Sequence, residues 1–362
     1  MDSVTQFALG SVVATSVLGR RFNPRWCVLA GGLLGTLPDL DTFIPFDNVV
    51  DNFVLHRGWT HSLLVHAVAT PVLVEAALAV KAGLRAHRAL IYAAVFLCLT
   101  THAILDSFTV YGTQLFWPIW PEPLGTGTLF IIDPLYTVWL LVALLGALFF
   151  KAWAPAMTRL MVVGLGISTA YLGWAFTAQA IVSDRAERVF AERGFPTDDL
   201  LVIPAPFQTG YWRAIGVNRA DYANLYLPVF GASSDAPLYR YPRLAEGTAC
   251  SEPPEARRIR DFADGFVRTF WQGDDLVIAD LRMGLTPSYV FRFKVGRRDG
   301  AGWIETEPSR VGQRQTHEGD WSWLAAGFRG ESRVRPVEEA HRLMPAETAG
   351  ATREAMGDLP LC

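Results

Sequence analysis

The chain has 362 residues, 51% hydrophobic and only 19% charged, with a formal net charge of −3. Soluble domains carry roughly 25% charge, so the apolar excess excludes disorder, and the near-neutral balance excludes a nucleic-acid binder driven by charge. Residues 1–182 hold nine Lys/Arg and nine Asp/Glu, while residues 183–362 hold 23 and 26, which excludes one uniform globular domain and predicts a membrane half followed by a soluble half.

In chain order, two short apolar segments come first, at 5–18 and 26–37. The first has no basic residue before its apolar run, unlike a signal peptide. Four runs of spanning length follow, at 62–80, 89–105, 129–150 and 160–182. Eight of the nine basic residues of this half fall in alternate loops: Arg20, Arg21 and Arg25; Lys81, Arg85 and Arg88; Lys151 and Arg159. By the positive-inside rule those loops are cytoplasmic. The loops at 38–61 and 107–128, and everything after 182, then face outward. The pattern predicts an α-helical multi-pass membrane bundle of five to six segments over residues 1–182. A soluble, extracytoplasmic α+β domain follows over residues 183–362.

In that second part, 183–194 and 261–272 read as amphipathic helices. Strand-like runs follow turn signals at 200–205, 212–217, 222–230, 275–281 and 288–295. The Glu/Ala/Arg-rich tail after 336 reads as loosely ordered. Cys27 and Cys98 lie in apolar segments and read as buried small hydrophobes. Cys250 and Cys362 are both in the outward part, where an oxidising compartment permits a disulfide.

The scarce acids and histidines of the first half gather at one end of the bundle. Asp2 precedes the first segment; Asp39 and Asp41 close the second; His56 and His61 lead into the third; His102 and Asp106 close the fourth; Asp133 opens the fifth. On the six-segment topology each lies at the outward end. His102 and Asp106 are four apart and share a helix face. Asp39 and Asp41 are two apart after Pro38, and in an extended stretch they point the same way. Mixed imidazole and carboxylate donors suit Zn²⁺, Mn²⁺ or Fe²⁺ more than Ca²⁺. Six or more donors exceed one tetrahedral ion, and two ions would form the clamp used in phosphoester hydrolysis. Arg57, the one basic residue of this half outside the cytoplasmic loops, suits an anionic oxygen.

Simpler roles stand beside these. Asp2 is a cap or a ligand, and Asp133 before Pro134 suits an N-cap. Asp47 and Asp51 read as solvated acids, His87, His317 and His341 as surface residues, and His66 as a packed histidine. Glu75, deep in the third segment, is a functional candidate or a group hydrogen-bonded within the bundle.

The blocks MDSVTQFALG, GTLPDLD, HRGWTHS, THAILDSFTVYGTQLFWP and IIDPLYT resemble the signature blocks of the YdjM-type family of bacterial inner-membrane proteins. The likeness covers about residues 1–150, and extends more weakly to PAPFQTGYWRAIGV. It implies a membrane-bound metal-dependent hydrolase with Asp39, Asp41, His56, His61, His102 and Asp106 as ligands. Some relatives carry histidine where this chain has Gln6.

The expected function is therefore metal-dependent hydrolysis of a phosphoester or lipid-linked substrate at the outer face of the inner membrane. One or two divalent ions are expected, zinc first and manganese or iron after it. His56 is a ligand or general base, Arg57 an anion holder, and Tyr111, Gln114 and Trp117 line the mouth. The partners expected are the bilayer and the substrate, with no nucleic acid. The competing readings are a non-catalytic membrane-anchored scaffold with a structural polar network, and an ion transporter using Glu75 and His66.

Overall fold

The computed structural model describes residues 1–231, 235–245, 253–300, 302–312 and 315–340. The order opens with α1 (Ser3–Leu18), α2 (Pro24–Thr36), a 3₁₀ turn at Pro38–Phe43 and α3 (Val49–Leu55). A second 3₁₀ turn at Trp59–His61, α4 (Leu63–Val80), α5 (Arg88–Asp106), α6 (Pro134–Phe149) and α7 (Pro155–Glu192) follow. Among the described residues, three stretches are long and apolar enough to cross a membrane: Leu63–Val80, Ala82–Asp106 and Pro155–Glu192. Ser3–Leu18 and Pro134–Phe149 are apolar but shorter.

Two helical expectations change. The run at 129–150 becomes helix only from Pro134, because the Asp133 side chain caps it, accepting from the backbone N–H groups of Leu135 and Tyr136. The amphipathic stretch at 183–194 is not a separate helix. It continues α7, since no glycine or proline interrupts the chain between Gly173 and Gly194.

The chain falls into two compact units: 1–45, 55–178 and 204–209 in the first; 46–54, 179–203 and 210 onward in the second. The first is a helical bundle. Its main core joins Leu9, Val12 and Val13 of α1 to Leu140 and Leu144 of α6 and Met157 and Met161 of α7. A smaller cluster packs Val74 and Leu78 of α4 on Ile91, Val95 and Leu99 of α5. Glu75 does not lie unpartnered in the bundle. It accepts from Tyr92 Oη at 2.7 Å and pairs with Arg88 at 2.8 Å. His66 is buried, with Nε2 2.9 Å from the Thr60 carbonyl.

Glycines bring α1 and α2 into backbone contact. A methyl built on Gly10 or Gly31 falls on the other residue's carbonyl oxygen, and one built on Gly35 lies 2.6 Å from the Gln6 carbonyl. Small residues permit such close helix approach. Gly31→Ala is expected to destabilise the protein by about 1–3 kcal/mol, the usual overpacking cost. Thermal unfolding in detergent would show this as a lowered Tm.

In the second unit, β1 (Asp199–Pro204), β2 (Tyr211–Val217), β3 (Asp221–Pro228) and β4 (Leu238–Pro242) form one sheet in sequence order. Helix α8 (Pro254–Phe262) precedes β5 (Val267–Gln272), β6 (Asp275–Asp280), β7 (Gly284–Leu285), β8 (Ser288–Tyr289), β9 (Arg292–Asp299) and β10 (Gly302–Arg310). The second sheet runs β10-β9-β6-β5, and the pairs β2–β3, β3–β4, β5–β6, β6–β9 and β9–β10 are antiparallel. Short helices α9 (Asp320–Phe328) and α10 (Pro336–Ala340) close the described chain.

Half of the helix expected at 261–272 is strand. Helix α8 stops at Phe262, the backbone turns left-handed at Asp264 (φ 48°) and Gly265 (φ 79°), and β5 begins. The strand expected at 288–295 is broken into β8 and the start of β9. The tail is anchored at its start, since buried Glu338 accepts from Tyr226 Oη at 2.6 Å and from Asn224 Nδ2 at 2.5 Å. Asp51, expected to be solvated, pairs with Arg258. His317 Nε2 lies 2.9 Å from Ser288 Oγ. Cys27 and Cys98 are buried free thiols. Cys250, Cys362 and His341 lie outside the described residues.

Candidate metal centre

Four side chains of the first unit converge: Asp39, His61, His102 and Asp106, whose donor atoms all lie within 4.8 Å of one another. His102 and Asp106 come from the last turns of α5, one above the other. Asp39 comes from the 3₁₀ turn after α2, which Pro38 opens, and His61 from the 3₁₀ turn before α4. His61, His102 and Asp106 are fully buried, whereas the Asp39 side chain is 19% exposed and marks the open side.

Hydrogen bonding sets the ring orientations. His102 Nδ1 lies 2.6 Å from the Gly35 carbonyl, which only accepts, so Nδ1 carries the proton and Nε2 the lone pair. Thr60 Oγ1 donates to Asp41 Oδ2 at 3.0 Å and therefore accepts from His61 Nδ1, also at 3.0 Å. His61 Nε2 thus carries a lone pair as well. The two Nε2 atoms face each other at 3.1 Å. Asp39 Oδ1 is 3.5 Å from each of them, and Asp106 Oδ2 is 3.4 Å from His61 Nε2 and 3.5 Å from His102 Nε2. Asp106 Oδ2 is buried and accepts no hydrogen bond within the described chain.

Two neutral imidazoles and two carboxylate oxygens aimed at one point repel unless a proton or a metal ion lies between them, even with Arg57 beside Asp106. For bonds of roughly 2.0–2.1 Å, the donors of a tetrahedral zinc stand about 3.3 Å apart. The observed separations bracket that value, so the residues fit a divalent ion. This orientation of metal-binding imidazoles through their second nitrogen is the usual outer-sphere arrangement.

Of the residues expected to hold metal, the other four lie outside this cluster. Asp41 is engaged by Arg57 N and Thr60 Oγ1, each at 3.0 Å, with His56 Nδ1 3.0 Å from its other oxygen. His56 pairs with Asp41 and stands over Tyr111, ring centroids 5.7 Å apart. Asp133 caps α6 and accepts from Tyr171 Oη at 3.0 Å. Asp2 caps α1 and accepts from Thr5 Oγ1 at 2.5 Å. Both of the last two serve helix ends and are not among the four converging donors.

Electrostatics follow from this packing. Burial opposes ionisation of Asp39, but the neighbouring His102 and His61 imidazoles outweigh it and hold its carboxyl below the usual range. Burial likewise opposes ionisation of Asp41, and His56 outweighs it. Burial lowers the pKa of the His61 imidazole, but Asp106 and Asp39 outweigh it and raise it, so a proton and a metal ion compete for the same Nε2 lone pair.

Arg57 completes the wall. It is buried, with Nε 3.2 Å from Asp106 Oδ2, Nη1 donating to Thr109 Oγ1 at 3.0 Å, and its guanidinium 5.3 Å above the Tyr111 ring. Its backbone is left-handed, at φ 61°, which costs a non-glycine residue about 1–2 kcal/mol. Asp41 holds this conformation through the Arg57 N–H, and the Arg57 carbonyl accepts from Gln114 N at 3.1 Å. Gln6 Nε2 donates to Asp106 Oδ1 at 2.9 Å, and the α-amino group of Met1 pairs with the same oxygen.

The family described as YdjM inner membrane protein matches residues 1–182. The chain belongs to the YdjM family. No curated protein and no solved structure matches the chain. The YdjM match covers every residue of the four-donor cluster and Arg57, and it agrees with the apolar helices in placing this part of the chain among inner-membrane proteins.

Several contacts around the candidate centre have no signal in the YdjM-like sequence blocks. The Gly35 carbonyl is a backbone group, and Thr109 and Thr60 are ordinary hydroxyls whose roles depend on the fold. Gln6 is an ordinary amide in an apolar helix, and the structure gives it a hydrogen bond to a donor carboxylate.

Proposed function

We propose that the chain is a membrane-bound, metal-dependent hydrolase acting on a phosphoester or lipid-linked substrate at the outer face of the inner membrane. The observation that carries this reading is the convergence of two imidazoles and two carboxylates, their donor atoms within 4.8 Å of one another, beside a buried arginine ion-paired with one of the carboxylates. In this reading the first half crosses the membrane several times and the sheet-rich part is extracytoplasmic.

Asp39, His61, His102 and Asp106 would hold one divalent ion, zinc first, with manganese or iron as alternatives, and catalysis would require the ion to accept a water beyond these four donors or in place of the partly exposed Asp39. Such an ion supplies Lewis-acid polarisation of the scissile group and a nucleophilic water at neutral pH. Arg57 binds an anionic oxygen through its planar fork, beside the cluster rather than within it. His56 is the proton-transfer residue: Asp41 fixes its Nδ1 at 3.0 Å, which leaves Nε2 to exchange the proton, and its side chain is 22% exposed. Asp41 is a positioning residue that holds both His56 and the Arg57 turn.

The test is hydrolysis of phosphoester lipids by the purified full chain, lost on chelation and restored by a divalent ion. Asp41→Asn is expected to lower kcat by about 10²-fold, the scale of general acid–base catalysis, while the ion is retained. Loss of the ion together with activity would make Asp41 a ligand instead.

A second reading has one observation in its favour: four protein donors fill a tetrahedral zinc, as in structural sites. A structural ion would tie the turn after α2 to the turn before α4 and the end of α5. It predicts that chelation lowers Tm and that no hydrolysis is found with any ion.

A further inference from the structure

The stretches that carry the site residues inward also carry large apolar residues outward. Leu40, next to Asp39, is 53% exposed, and Trp59, between Arg57 and His61, is 49% exposed. Beyond Gln114, the turn at 116–120 exposes Phe116, Trp117, Ile119 and Trp120, the isoleucine by 81%. Phe43 is 82% exposed. Residues 107–121 contain no charged side chain. An exposed apolar turn without a charge is an unusual surface in water and marks a contact with something apolar.

The backbone fixes where that turn lies. Leu63 N donates to the Leu115 carbonyl at 2.9 Å, and Ser62 Oγ donates to the Trp117 carbonyl at 2.6 Å. Ser62 is the N-cap of α4, an 18-residue stretch apolar enough to cross a membrane. The turn is therefore tied to the very end of a candidate span. Tryptophan there matches the aromatic belts found where hydrocarbon meets the headgroups. The Gln114 N–H bonded to the Arg57 carbonyl joins the same loop to the site.

Resting on the hydrolase reading, we propose that Phe43, Trp59 and the 116–120 turn form a collar inserted at the headgroup–acyl boundary of the bilayer. The collar holds the Asp/His cluster at headgroup depth, so that the substrate is an amphiphile with an anionic headgroup drawn from the lipid. A second protein as the occupant is the outcome that the test separates.

The collar is read without any turnover. The full chain, with its four cysteines replaced by serine, receives a nitroxide at Ile119→Cys and is reconstituted in vesicles of phosphatidylcholine and phosphatidylglycerol. The expected result is a label relaxed more by oxygen than by a water-soluble nickel chelate, with a contrast smaller than that of a label at Val72 within α4. A label relaxed mainly by the nickel chelate, or immobilised away from both reagents by a protein partner, overturns the collar. This readout is independent of chemistry, so the hydrolase reading can fail while the collar stands.

The substrate class is read separately, with the Ile119→Asp variant. The ratio of its turnover on phosphatidylglycerol vesicles to that on a water-soluble phosphodiester is expected to fall roughly tenfold, on the scale of placing an acidic side chain against lipid. Its metal content should stay at the wild-type level. An unchanged ratio overturns delivery from the lipid. Absence of turnover on both substrates by the wild type overturns the hydrolase reading, and with it the substrate class.

Discussion

His102→Ala is expected to weaken divalent-ion binding by more than about 100-fold, because even the outer-sphere partners of metal ligands cost 10–100-fold when removed. The ring contributes one of the four donors, and its Nδ1–H bond to the Gly35 carbonyl sets the direction of that donor. Its loss also leaves Asp39 and Asp106 facing each other with one imidazole fewer between them. The variant is measured by metal analysis after gel filtration, with circular dichroism to check the helices. Asp106→Asn is a companion that keeps the side-chain volume and the Gln6 contact while removing the charge. Both variants losing the ion with their helices retained is the expected pattern. Either variant holding the ion at wild-type affinity would remove that residue from the site.

Arg57→Gln is expected to lower kcat/KM by about 10²–10³-fold, the usual effect of removing one preorganised donor from a developing negative charge. The residue is suited to this task by its surroundings. Thr109 and the Tyr111 ring fix the guanidinium, and Asp41 fixes the backbone in a conformation that arginine does not adopt by preference. Arg57→Lys should recover little, because an ammonium lacks the planar fork. Steady-state kinetics at a saturating ion concentration separates this loss from weakened metal binding. Equal rates for wild type and Arg57→Gln would leave the arginine a structural partner of Asp106.

Much of the centre is legible from residue type and position. His102 and Asp106 can be paired because helical spacing of four places them on one face. Asp39 and His61 can be joined to them because the topology expected from the alternating basic loops places the ends of separate segments on one side. The division of labour among neighbours is not legible in the same way. An extended stretch would point Asp41 the same way as Asp39, but the chain after Pro38 is a 3₁₀ turn, and Asp41 instead meets Arg57, Thr60 and His56. Asp2 and Asp133 are open to two roles from sequence, and the helix ends take them as caps.

The same limit governs the sheet-rich part. Strands β2 and β3 stand out as apolar runs buried along nearly their whole length. Strand β10 is largely exposed and polar, so it carries no alternation to read. Strand β5 reads from sequence as the end of a helix, because the left-handed turn at Asp264 and Gly265 separates two stretches that share an apolar helical period.

Metal analysis of the wild-type full chain, purified without chelators and then equilibrated in turn with zinc, manganese and ferrous iron, tests the four-donor centre most directly. One tightly held ion per chain is expected for at least one of these metals. A well-folded wild-type chain that binds none of the three would contradict the assignment of Asp39, His61, His102 and Asp106 as its ligands.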